Sequence, residues 1–481
     1  MSAKISIIGA GSAVFSLNLI KDLCVNENLN GSELALMDIN IGRLDSVYGL
    51  CMRYLKETGH NLKVTKTSDR RECIRNADFV IDVALDFGHQ RLRDGWDIAY
   101  KNGYHFGGSM HIVHDEAFWV NFYQLRLMES IAEDILDICP HAYLIMVANP
   151  VLAGVTYLKR KYPGLKLVGM CHGYNGVNVL SRTIGLDMKD ITYEVCGVNH
   201  FIWLTKYFYR GRDAFPILNQ WIKEKSEKHF SDSNQKSSGE GKKAIDLYKR
   251  FGVFPIGDTC TPGGGSWGWW YHSEGQEEIW DEDPWTWYEG YFKGCVASVE
   301  RIKSTVADPS QKVTEIFSGA ASNEPMIPLI EALACDVEKK IIVNIPNDSC
   351  YVPGIPSDFE VEIPALVSKK GIQGIHTDGL PKPVMAYLWR DRIAPVEMEL
   401  QAFITGDRNY LLSLIMMDPW TKSEKQANAL AAELEKKNKL TTDFFTNISH
   451  EFKTPLTLIQ GPAEEMARRM AREEGLWNLF L

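Results

Sequence analysis

Short apolar runs punctuate the first 195 residues of this 481-residue chain, among them "KISII", "ELALM", "DFVIDVAL", "AYLIMVA" and "KLVGM", with helical stretches between them. Alternation of buried strands with helices predicts an α/β fold, a Rossmann-type doubly wound parallel sheet over residues 1–195. Ligands of such sheets sit at the carboxyl ends of the strands. From residue 196 the pattern changes. A lysine- and serine-rich insert, a tryptophan-rich stretch from Trp267 to Trp287 and the strand-and-turn region "KKIIVNIPNDSCYVPGIPSDFEVEIPALV" follow one another. They predict a second, α+β domain over 196–435 that closes over the first. A helical tail is expected over 436–481.

The first strand runs into a turn with Gly9 and Gly11, and Asp38 ends the next strand. A glycine turn between strand and helix lets a pyrophosphate approach the backbone, and an acidic residue about this far along holds the adenosine ribose. A tight turn without a ligand would also use Gly-x-Gly, but the strand–turn–helix–strand–Asp order favours a dinucleotide. The carboxylate of Asp38 favours NAD over NADP, because it would repel a 2′-phosphate. The third glycine is replaced, so Ser12 and Ala13 must leave the phosphates room.

Charge narrows the function classes. With 62 acidic and 52 basic residues and 45% apolar residues, the chain has the balance of a globular protein and no basic surface for nucleic acid. The N-terminus "MSAKISIIGAGS" opens a strand and lacks the pattern of a signal peptide. The longest apolar stretch is broken at Asn149-Pro150, so no membrane span is expected. A cytoplasmic protein follows, with its ten scattered cysteines reduced.

Cys171 and His172 follow the run "KLVGM", and His200 follows "VCGVN". A thiolate and an imidazole from two connections can share a divalent cation whose other positions stay open to water and substrate, an arrangement suited to catalysis. One cysteine and one distant histidine are, however, more often packed side chains than ligands.

In order, the stretches "IIGAGSA", "ANP", "CHG", "GVNH", "FPIGD" and "SNEPMIPLIEALA…VNIPN" resemble the family-4 glycoside hydrolases over about residues 1–435. The resemblance implies a glycosidase that depends on NAD and on a metal, manganese by family habit, and that works by redox chemistry rather than by two carboxylates. Hydride leaves C3 of the sugar, a base removes the proton at C2, the aglycone is eliminated, water adds and the hydride returns. Cys171 and His200 match the metal ligands. Asp258 matches the acid/base of the α-glucosidase branch, with Tyr248 as rival, since other branches use a tyrosine. His172 could orient a hydroxyl or assist aglycone departure, or be merely hydrogen-bonded in the cleft, and Asn149 falls on the substrate-binding "ANP". "CHG" resembles the α-glucuronidase and α-galacturonidase branch, where Gly173 would leave room for a C5 carboxylate. The substrate is then a small-molecule or oligosaccharide uronate, with Arg91, Arg93 or Lys101 as possible counter-charges. The tryptophan-rich run could stack on sugars, pack a core or form a subunit interface; a homodimer or homotetramer is expected.

The tail reads "NKLTTDFFTNISHEFKTPLTLIQGPAEEM" and resembles the phosphoacceptor helix of sensor histidine kinases, with His450, Glu451, Thr454 and Pro455 in the matching places. Too few residues follow for an ATP-binding domain, so autophosphorylation within this chain is not expected. Two readings of other classes remain beside the glycosidase: a sugar-binding sensor fragment with a phosphorelay tail, and an NAD-dependent 2-hydroxy-acid dehydrogenase. An α-glucosidase or α-galactosidase of the same family is the third. Glycoside cleavage without net NADH separates a glycosidase from the dehydrogenase.

Overall fold

In the computed structural model, the structure describes residues 2–11, 13–86, 88–106, 108–114, 116–232, 241–261, 279–317, 322 and 324–452. Six early segments form parallel strands: β1 (Lys4–Ile8), β2 (Glu33–Met37), β3 (Lys63–Thr67), β4 (Phe79–Asp82), β5 (Tyr143–Met146) and β6 (Leu167–Gly169). They lie in the order 3-2-1-4-5-6, the dinucleotide-binding order. Their apolar residues, such as Ile5, Ile7, Leu34, Leu36, Val80, Ile81, Leu144, Ile145 and Val168, are almost wholly buried. Such continuous runs arise because both faces of a parallel sheet are covered.

The sheet does not stop at β6. The later strands β7 (Ile191–Val198), β8 (Phe201–Tyr209), β9 (Arg212–Asp213), β10 (Phe254–Ile256), β11 (Lys339–Pro346), β12 (Glu360–Ser368) and β13 (Gly371–Gly374) are antiparallel to their neighbours. They extend one 13-stranded sheet in the order β10-β8-β7-β12-β11-β6. The expected boundary at 195/196 therefore falls inside β7. The reason is physical: β6 offers an open edge of N–H and C=O groups, and the β11–β12 hairpin pairs with it.

The chain divides into two compact units. One spans 1–88, 123–265 and 275–388 and holds the whole sheet. The other spans 89–122, 266–274 and 389–481 and, among the described residues, contains helices only. Inside the helical unit, the buried Glu399 carboxylate accepts from the Asn121 side chain at 2.8 Å and lies 3.0 Å from His111 Nδ1. The long helix Glu424–Phe452 buries Ala427, Leu430, Ala431 and Leu434 and runs unbroken through the expected boundary at 436. His450 and Glu451 fall in its last turn; Thr454 and Pro455 lie outside the described residues. No described helix is long and apolar enough to cross a membrane. All ten cysteines are free thiols.

Candidate active site

The glycine turn after β1 is shaped by close backbone packing. Gly9 has φ +87°, and a Cβ there would stand 2.6 Å from the backbone of Ala84. The N–H groups of Gly9 and Ala10 both donate to the Met37 carbonyl at 2.9 Å, tying the turn to the end of β2. Asp38 accepts from Gly11 N–H at 2.7 Å and from Asn40 N–H at 2.7 Å, so its carboxylate stands at the mouth of the turn. Ser12, expected to contact phosphate, lies outside the described residues.

Asp82 ends β4 next to this turn. It is fully buried; Oδ1 accepts from Ala84 N–H at 3.1 Å, and Oδ2 has no partner among the described residues. Burial pushes its carboxyl up to about 7. A carboxyl raised in the folded chain stabilises it at pH below the ordinary value of 3.8, and that stability is lost as pH rises through about 7. Asp82→Asn, neutral at every pH, should therefore melt like the native chain near the acid end of this window. Above it the variant should be the more stable, by roughly 2–4 kcal/mol. Melting curves across this range check the prediction; a parallel pH dependence of both proteins would refute it.

Past β6, Cys171 is half-buried and receives the Gly173 N–H on Sγ at 3.4 Å. His200 closes the two-residue connection between β7 and β8 and is 5% exposed, with φ +58°. Gly197 just before it cannot be replaced: a Cβ would meet the Phe201 carbonyl oxygen at 2.0 Å. Asp258 arrives on the turn after β10. β10 pairs with β8 at Ile256↔Ile202, and the Thr259 hydroxyl is hydrogen-bonded to both the N–H and the carbonyl of Ile202. Gly257, at φ +58°, packs against the backbone of Gly173, where a Cβ would come within 2.6–2.8 Å.

These constraints bring three side chains together. A Cys171 Sγ, a His200 nitrogen and an Asp258 oxygen lie within 4.8 Å of one another, and His200 Nε2 is 3.2 Å from Asp258 Oδ2. Thiolate, imidazole and carboxylate form a donor set fit for a divalent cation. Burial pushes the Cys171 thiol up to about 11; the Glu362 charge adds to the rise and the His200 hydrogen bond opposes it. A cation would supply the positive charge that lets the thiol ionise.

Beside the three, His172 is exposed, with Nδ1 3.5 Å from Glu324 Oε2, and this carboxylate raises its pKa. Asn149 is half-buried at the end of β5, before a cis bond to Pro150. Tyr248 is 7% exposed in a hydrophobic cluster, with its ring stacked on Phe215 at 5.7 Å. Arg91, Arg93 and Lys101 lie on helix His89–Lys101 of the helical unit. Trp280 is buried and donates to Asp246 at 3.1 Å, a packing role, whereas Trp267 lies outside the described residues.

Sequence reasoning missed a buried polar row behind His200. Asn199 N–H donates to Glu360 Oε2 and its side-chain amide to Glu362 Oε2, each at 3.1 Å. The Asn344 amide, oriented by the acceptors around it, donates to Glu362 Oε2 at 3.2 Å and Glu360 Oε1 at 2.8 Å. Burial pushes Glu362 up to about 8. The only signal in the sequence was two glutamates in the apolar stretch "FEVEIPAL".

Two family profiles match the chain, family 4 glycosyl hydrolase over residues 4–185 and family 4 glycosyl hydrolase C-terminal domain over residues 195–421. The chain belongs to glycosyl hydrolase family 4. Membership makes it an O-glycosyl hydrolase and sets aside the dehydrogenase reading. It is 24% identical over 453 residues to an alpha-glucosidase of Erwinia rhapontici, covering 87% of this chain and 94% of the relative. It is also 24% identical over 458 residues to an alpha-galacturonidase of Lachnoclostridium phytofermentans, covering 87% and 91%. Among solved structures, a 6-phospho-alpha-glucosidase from gut microorganisms, in complex with NAD and Mn2+, shares the fold. Its TM-score is 0.74 at 16% identity, over 91% of this chain and 98% of that one.

Proposed function

We propose that this family 4 chain hydrolyses α-glycosides of uronic acids, α-galacturonides or α-glucuronides, with NAD and a divalent cation such as Mn2+ as cofactors. The observation that carries the reading is the meeting of Cys171, His200 and Asp258 on the sheet that also presents Gly9, Gly11 and Asp38. The α-glycosidase names of several relatives support it, and so does a solved relative that holds NAD and Mn2+. The uronide part rests on "CHG" at 171–173 and on relatives named alpha-galacturonidases.

Cys171 and His200 would hold the cation, and the Gly9–Gly11 turn with Ser12 and Asp38 would hold the dinucleotide. When bound, the dinucleotide would supply reversible hydride acceptance at C3 of the sugar, and the cation would supply Lewis-acid stabilisation of the charge that develops there. Asp258 takes the C2 proton, because its carboxylate stands against the ligand pair. His172, oriented by Glu324, gives a proton to the departing glycosidic oxygen. Asn149 hydrogen-bonds the sugar, and Gly173 leaves space beside it.

With NAD and Mn2+ present, p-nitrophenyl α-galacturonide or α-glucuronide should be cleaved at least about tenfold faster than the matching neutral glucoside or 6-phosphoglucoside, without net NADH. Release of p-nitrophenol with absorbance of NADH followed in parallel gives the answer. Faster cleavage of the neutral glucoside would assign the chain to the α-glucosidases instead.

A further inference from the structure

The β11–β12 hairpin lies between β6 and β7, the two strands that deliver Cys171 and His200. At one level across the sheet, Gly169 of β6 pairs with Asn344 of β11, Asn344 with Glu362 of β12, and Glu362 with Gly197 of β7. Cys171 follows this row by two residues and His200 by three, and their side chains nonetheless meet. The two connections must therefore fold toward each other across the strands that carry Asn344 and Glu362.

Glu362 is fully buried, and the amides of Asn199 and Asn344 both donate to its Oε2. Oε1 has no partner among the described residues. A buried carboxylate oxygen without a donor is costly, and it persists where something positive or an O–H group completes it. Glu362 is hydrogen-bonded to Asn199, the residue before His200, so it lies beside the group of three without being one of them.

We infer that Glu362 is a positioning residue of the cation centre: an outer carboxyl, aligned by Asn199 and Asn344, that steadies the His200 connection and, ionised beside a bound cation, raises the affinity of Cys171 and His200 for it. The inference rests on the reading of Cys171 and His200 as ligands. Outer carboxylates of this kind orient ligands and tune affinity without touching the ion. Through Asn199 this one also grips the connection whose last residue is His200 in a left-handed conformation.

The test is Mn2+ binding to the full chain, followed by the EPR signal of free Mn2+, for the native protein, Glu362→Gln, Glu360→Gln and Cys171→Ala. Glutamine keeps an acceptor for Asn199 but cannot ionise beside a cation. Glu362→Gln should bind Mn2+ roughly ten- to a hundredfold more weakly. Its metal-free melting temperature should not fall, and its NAD affinity should be unchanged. Glu360→Gln, in the same network, should stay within about threefold of native. Glu362→Met serves the same purpose should the glutamine variant not fold. Native-like Mn2+ affinity in Glu362→Gln, or an equal loss in Glu360→Gln, overturns the inference while Cys171→Ala still loses binding. Native-like binding by Cys171→Ala instead overturns the reading of the ligands themselves.

Discussion

Cys171→Ala and His200→Ala are each expected to lower glycoside turnover at least about a thousandfold while leaving the fold intact. A cation that stabilises charge on a sugar oxygen is worth several kcal/mol in the transition state, and each ~1.4 kcal/mol is a factor of ten. Cys171 and His200 are the proposed ligand pair, and loss of either leaves a single ligand beside the Asp258 carboxylate. Burial pushes the thiol up to about 11, so a cation must compete with its proton. Cys171 contributes little to the core, being half-buried in a connection, so alanine there should cost little stability. His200 is different: its φ of +58° is tolerated by the turn, and alanine at that angle is strained. Its melting temperature must therefore be measured beside its activity. Turnover near the native rate in either folded variant, or in native protein stripped by a chelator, would remove the cation from the mechanism.

The second large effect is expected at Asp258. Asp258→Asn should lower kcat by roughly 10²–10⁴, the range for a general base, whereas Tyr248→Phe should leave turnover within about threefold. Asp258 stands 3.2 Å from His200 on a turn bound to β8 by Thr259. Tyr248 is packed between Phe215 and Phe254 in the core, and losing its hydroxyl costs about 1 kcal/mol of stability at most. Uptake of solvent deuterium at C2 of the sugar separates a base from a merely structural residue. The exchange should vanish in Asp258→Asn and persist in Tyr248→Phe; the reverse pattern would make the tyrosine the base.

The parallel half of the fold and its glycine turn were legible in the sequence because their signals are local. "KISIIGAG" and "ELALMD" carry strand, turn and acid within residues 4–38, and such a unit folds the same way in many chains. The family motifs likewise named Cys171, His200 and Asp258 before any distance was known. Their meeting within 4.8 Å, and the burial of Tyr248 in a hydrophobic cluster, needed the antiparallel strands to be laid in order beyond β6. Strand order is set by contacts far apart in the chain, and no local pattern encodes it. Glu360 and Glu362 show the limit most sharply. Acidic residues at alternate positions of a strand read as a face turned to water, since an antiparallel sheet can be wet on one side. In the structure both faces of β12 are covered over Glu360–Ala365, and the two carboxylates lie inside, held by Asn199 and Asn344. The sequence determined which residues could serve a cation and a dinucleotide. Tertiary structure alone decided which face of β12 is buried, because burial depends on what packs against a strand and not on the strand's own alternation.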